Sequence, residues 1–127
     1  MSVEATTELR SDTCLLRITR TGTSDIAMDF EGHDTGEFGD LAQRCVEAFL
    51  PPDGTATLTI DARRARGASM EVGEAWARWL SAHRDRLSSV RMHVGSAYMR
   101  VVADFVRRFA GLESLMQIEV HGPPGPG

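Results

Sequence analysis

Residues 56–87, ATLTIDARRARGASMEVGEAWARWLSAHRDRL, constrain the fold more than any other part of the chain. An alternating strand, an arginine-rich loop and a long amphipathic helix follow one another there without a break. Residues 90–94, VRMHV, read as a second strand immediately afterwards. Two parallel strands cannot be joined by a tight turn and need a crossover, so strand, helix and strand form a βαβ unit at the centre of the fold.

The rest of the chain supplies strands before this unit and a helix and strand after it. Residues 14–20 alternate, with Cys14, Leu16 and Ile18 opposite Leu15, Arg17 and Thr19. Residues 25–31 repeat the pattern, with Ile26, Met28 and Phe30 opposite Asp25, Ala27, Asp29 and Glu31. Thr21, Gly22, Thr23 and Ser24 between them are turn formers, which predicts an antiparallel hairpin. Asp34 and Glu37 have capping-box spacing, with Thr35 as a rival cap. Phe38, Leu41, Ala42, Cys45 and Phe49 then recur at helical intervals until Pro51 and Pro52 stop the helix. In the central strand Leu58 and Ile60 oppose Thr57 and Thr59.

Ser69 is the expected N-cap of the crossover helix, with Glu71 in its first turn and Val72, Trp76, Trp79, Leu80, His83 and Leu87 on one stripe. Ser96 is the expected cap of a third helix, whose stripe is read as Tyr98, Val101, Val102, Phe105, Phe109 and Leu112, with Gly111 as its stop. Met116, Ile118 and Val120 alternate with Gln117 and Glu119 in a last strand. Strands covered on both faces read as continuous apolar runs, whereas all five of these alternate. The expected architecture is therefore an α/β two-layer sandwich, a mixed five-stranded sheet in the order β-β-α-β-α-β-α-β with three helices on one face. Its other face would carry Arg17, Asp29, Thr57, Thr59, Arg91, His93, Gln117 and Glu119.

At 127 residues and 42% hydrophobic, the chain is expected to be one domain with its own core. The ordered part is placed at about 12–121, with flexible tails at 1–11 and 122–127. Cys14 and Cys45 lie on separate elements and read as reduced thiols, a disulfide being the less favoured alternative. The N-terminus has no signal-peptide core and no stretch approaches a membrane span, which predicts a soluble cytoplasmic protein without membrane insertion. Every basic residue is arginine. Residues 1–62 hold four Arg against twelve acids and residues 63–127 hold ten against six, giving −8 and +4. Nucleic-acid binding needs a more concentrated basic excess, so the charge pattern suits another protein better.

With this order of elements, residues 14–120 resemble the STAS group, the anti-sigma-factor antagonist-like domains and their STAS-like relatives. The strand TLTID at 57–61, followed by a loop and a helix, carries the resemblance best, and WARWLSAHRDRL at 76–87 is similar to uncharacterised bacterial STAS-like proteins. Antagonist-type members place a phosphorylatable serine in an Asp-Ser-x-Gly sequence at that helix start. Ser69 stands near the matching place, preceded by Ala68 and with Glu71 where the glycine would be. The resemblance implies a non-enzymatic bacterial regulatory module that binds a protein, with Ser69 as candidate phosphoacceptor. Separately, an open sheet face or exposed strand edge invites self-association, so a homodimer is a further expected form.

In parallel sheets ligands collect at the carboxyl ends of the strands. That edge is expected to gather Asp61, Arg63, Arg64, Arg66, Ser69, Ser96, Tyr98 and Arg100, with two helix N-termini beside the arginines. Such a set suits a partner protein or an anion, and a small anionic or acyl/lipid-like ligand is the alternative function. No serine has a histidine in a triad arrangement, and no catalytic residue is assigned. His33, His83, His93 and His121 have no ligand spacing in sequence, so neither metal nor cofactor is expected. The Trp76/Trp79 pair is read as core.

Overall fold

The computed structural model describes residues 4–121. The stretch 122–127, read above as a flexible tail, lies outside the described residues. The elements run β1 (Glu4–Arg10), β2 (Cys14–Thr21), β3 (Asp25–Asp34), α1 (Leu41–Phe49), β4 (Ala56–Ala68), α2 (Met70–Ala82), β5 (Leu87–Val94), α3 (Ala97–Phe109) and β6 (Met116–Val120), with a single 3-10 turn at Arg84–Arg86. The sheet keeps chain order from β1 to β6. β2 runs antiparallel to both β1 and β3, and β3 to β6 are parallel.

The sheet thus has six strands rather than five. Residues 4–10, expected to be part of a frayed tail, pair with β2 from Glu4 opposite Thr21 to Arg10 opposite Leu15. Only Leu9 among the inward residues of β1 is large and apolar, so hydrophobic patterning gave no sign of the strand. The charged outward residues Glu4, Glu8 and Arg10 suit an edge that must not pair with another chain.

The apolar residues of the strands meet all three helices on one face. Leu16, Ile18, Ile26, Leu58 and Val90 are each at most 2% exposed and join Val46 of α1, Trp76 and Leu80 of α2 and Val106 of α3 in one core. Each such side chain contributes roughly 1.5–3 kcal/mol by leaving water. Trp76 stands at the centre, edge-on to Phe30 at 6.4 Å and to Trp79 at 6.0 Å. The other sheet face is polar, as the alternation predicts.

Three local expectations are corrected. The arginine-rich segment is not a loop: β4 runs on to Ala68 and pairs with β3 along its length. Two extra residues on β4, between Asp61 and Arg64 and between Ala65 and Gly67, bulge the strand and break its period-two pattern. α1 starts at Leu41 and has no side-chain cap; Asp34 accepts from the Gly36 N–H at 2.9 Å in a local turn instead. On α3 the expected buried stripe is displaced, because Met99, Ala103 and Val106 face inward while Tyr98, Val101, Phe105 and Phe109 are exposed.

Candidate functional site

α2 and α3 both begin at the carboxyl edge of the parallel strands, each with the serine cap expected. The Ser69 hydroxyl accepts from Val72 N–H at 3.3 Å, and the Ser96 hydroxyl from Met99 N–H at 3.1 Å. Tyr98 in the first turn of α3 reaches back to donate its hydroxyl to the Ala68 carbonyl at 3.3 Å. This joins the start of α3 to the end of β4. Gly67 makes the approach possible: a Cβ there would lie 2.9 Å from the His33 ring and 3.2 Å from the Tyr98 ring. Gly95, just past β5, lets the backbone of β4 approach as closely, since a Cβ there would lie 2.6 Å from the Arg63 carbonyl oxygen.

Ser69, Ser96 and Tyr98 therefore do share an edge, whereas Arg63 and Arg64 turn away from it. Arg63 folds back on Asp61, with guanidinium contacts at 2.8 and 3.0 Å, and Arg64 crosses to Asp29 at 3.2 Å and Glu31 at 3.4 Å. Both lie over the open sheet face. The Arg63 guanidinium holds the Asp61 carboxyl at about 2, well below its usual range. Arg63 and Arg64 are thus engaged by carboxylates of the sheet, which leaves Arg66 and Arg100, both exposed, as the arginines of the expected set outside those ion pairs.

Between the sheet and the α2–α3 pair lies an apolar cavity of about 70 Å³, bounded by Met28, Phe30, Trp76, Met92, Met99 and Val106 among others. Cys14 and Asp34 are its titratable neighbours, and both feel the burial: desolvation pushes the Cys14 thiol up to about 11 and raises the Asp34 carboxyl. Both cysteines are free. A second concavity of about 460 Å³ separates α1 from α2 and is floored by the two tryptophans. Glu47 closes one end by accepting from Trp79 Nε1 at 3.3 Å and facing His83 Nε2 at 3.1 Å.

The largest departure from expectation is an apolar surface. Val101 is 67% exposed and Phe109 59%, with Tyr98 and Phe105 exposed beside them and Met70 of α2 75% exposed. Phe105 and Phe109 pack tilted at 5.4 Å, and the Phe105 ring lies over Gly73 of α2. The sequence signal for this patch was present, because α3 carries more large apolar residues than one helix face can bury. What the pattern lacked was the direction.

The fold, helices on one face of a mixed sheet with two Ser-capped helices at its carboxyl edge, is the SpoIIAA-like, or STAS, fold. It is shown by similarity to a solved structure from Shewanella loihica PV-4, described as an uncharacterized protein of the DUF3478 family with a SpoIIAA-like fold. The TM-score is 0.57 at 14% identity, over 93% of this chain and 86% of that one. No protein-family model and no curated protein sequence matches the chain. Among the described residues no helix is long and apolar enough to cross a membrane.

Proposed function

We propose that the protein is a non-enzymatic bacterial regulatory module acting in the cytoplasm, and that it docks another protein on the outer face of α3. The observation that carries this reading is the exposed group Met70, Tyr98, Val101, Phe105 and Phe109. Interface cores are enriched in aromatic residues and methionine and depleted in charge, and a contiguous patch of this kind is unusual on a solitary domain. Asp104 draws Arg107 and Arg108 to itself at 2.7 and 3.1 Å, which gives the patch a charged rim. A second copy of the chain is one partner the patch could take. Ser69 would be the regulatory position, since a phosphate there would stand at the α2 N-terminus beside Tyr98 and Met70.

The test is site-specific photo-crosslinking. A benzophenone side chain at Val101 should give discrete adducts in extract of the source cells or with the purified chain alone, and the same group at Thr59 on the open sheet face should not. Equal labelling from both positions, or none from Val101, would contradict the reading.

The apolar cavity favours a second reading, the binding of an acyl or lipid-like ligand. Its lining suits a hydrocarbon, although 70 Å³ is below the roughly 300–1,000 Å³ of ordinary ligand sites, so the α2–α3 pair would have to part. A ligand that binds the folded form raises the melting temperature by mass action. Medium-chain fatty acids that leave it unchanged would remove this alternative.

A further inference from the structure

His93 and His121 are far apart in sequence but adjacent in the sheet. His93 sits on β5 directly opposite Glu119 of β6 in the parallel register. His121 lies two residues beyond Glu119, and its N–H continues the ladder by bonding the Val94 carbonyl at 2.8 Å. Residues two apart on a strand share a face. Glu119, His121 and His93 are therefore brought together by backbone pairing on the open polar face.

Their donor atoms all lie within 4.8 Å of one another, the one such group of three among the described residues. His93 Nδ1 and His121 Nε2 face each other at 2.9 Å, and the two rings are tilted at 41° with centroids 5.1 Å apart. In the absence of a cation, one ring nitrogen must donate to the other. Two nitrogens bound to one tetrahedral zinc at about 2.0–2.1 Å lie roughly 3.3 Å apart. The observed spacing is a few tenths of an ångström short of that, within the reach of side-chain rotation. The ring that donates its proton would move it to its outer nitrogen when the cation takes its place.

We propose that His93, Glu119 and His121 form a binding site for a divalent transition-metal ion of the zinc class. Two imidazoles and one carboxylate are borderline nitrogen and oxygen donors, which select such ions over calcium or magnesium. Arg91 holds Glu119 Oε2 at 3.2 Å and so fixes the carboxylate, as outer groups that orient metal ligands commonly do. Three protein donors leave a fourth place for water or for a donor from another molecule. The site lies on the sheet face, opposite the layer that contains α3, and does not depend on the docking reading above.

The experiment uses the untagged chain with His93→Gln and Glu119→Gln as separate variants, because both side chains lie on the open sheet face outside the hydrophobic core and their replacement leaves the fold intact. Cobalt(II) is titrated with visible absorption as readout, and zinc is titrated by calorimetry. The expected result is one equivalent bound, with the intense visible bands of tetrahedral cobalt. Each variant should weaken binding by more than the roughly 10- to 100-fold that an outer-shell partner supplies. Melting temperatures in the presence of EDTA should match the parent, and added zinc should raise that of the parent alone. Absence of binding at millimolar metal, or binding that both variants leave intact, would overturn the assignment.

Discussion

α2 and α3 are built alike and used differently. Each has thirteen residues, begins at the same edge of the sheet and is capped by a serine. α2 turns Trp76, Trp79 and Leu80 into the core and leaves Glu71 and Arg78 outside. α3 turns Met99, Ala103 and Val106 inward and leaves Val101, Phe105 and Phe109 outside. Ala103, wholly buried in the middle of the inner face, lets α3 lie close to the sheet. The aromatic side chains of α2 therefore serve folding, and those of α3 remain available for contact with another molecule.

Substitutions that exchange these roles break the comparison most strongly. Trp76→Ala should cost about 3–5 kcal/mol of stability, since it empties the centre of the core, whereas Phe109→Ser should stay within about 0.5 kcal/mol. Urea midpoints for the two variants check this. Ala103→Leu should cost about 1–3 kcal/mol by forcing α3 away from the sheet, and Val101→Leu on the outer face should not. Thermal melts of that pair give the comparison from the side of overpacking.

The caps test where the helices remain alike. Ser69→Ala and Ser96→Ala should each cost about 1 kcal/mol, while Ser69→Asp should be nearly neutral because aspartate caps as well as serine and suits the helix N-terminus. An effect confined to alkaline pH is expected from the thiols. Burial raises the Cys14 thiol from its ordinary 9.0 to about 11 in the folded chain. The stability linked to that proton is fully present below pH 9 and is lost as pH rises through about 11. Alkylation near neutral pH should accordingly mark the half-buried Cys45 before Cys14, as read by peptide mass mapping.

Which parts of this were legible depended on what each signal encodes. Alternation reported the polar and apolar faces of β2 and β3 correctly, because each strand buries one face, whereas on the edge strand β6 Met116 is buried and Val120 is exposed. Serine caps at Ser69 and Ser96 were legible because a cap is a local interaction. β1 was missed because an edge strand needs little apolar surface, and the 63–68 stretch was read as a loop because two bulges shift its pattern. Helical periodicity identified an apolar arc on α3 but not its rotation, which Ala103 and Met99 set by close packing. The group of His93, Glu119 and His121 had no sequence spacing at all, since a parallel register created it.

The central claim, that the outer face of α3 serves binding and not folding, is tested most directly by the double variant Val101→Glu/Phe109→Glu. Its melting temperature and the partners it retains in a pull-down are measured beside the parent. The account predicts a melting temperature close to that of the parent together with loss of the partner, or of self-association if the partner is a second copy. A chain that melts far earlier, or one that melts normally and keeps every contact, would contradict it.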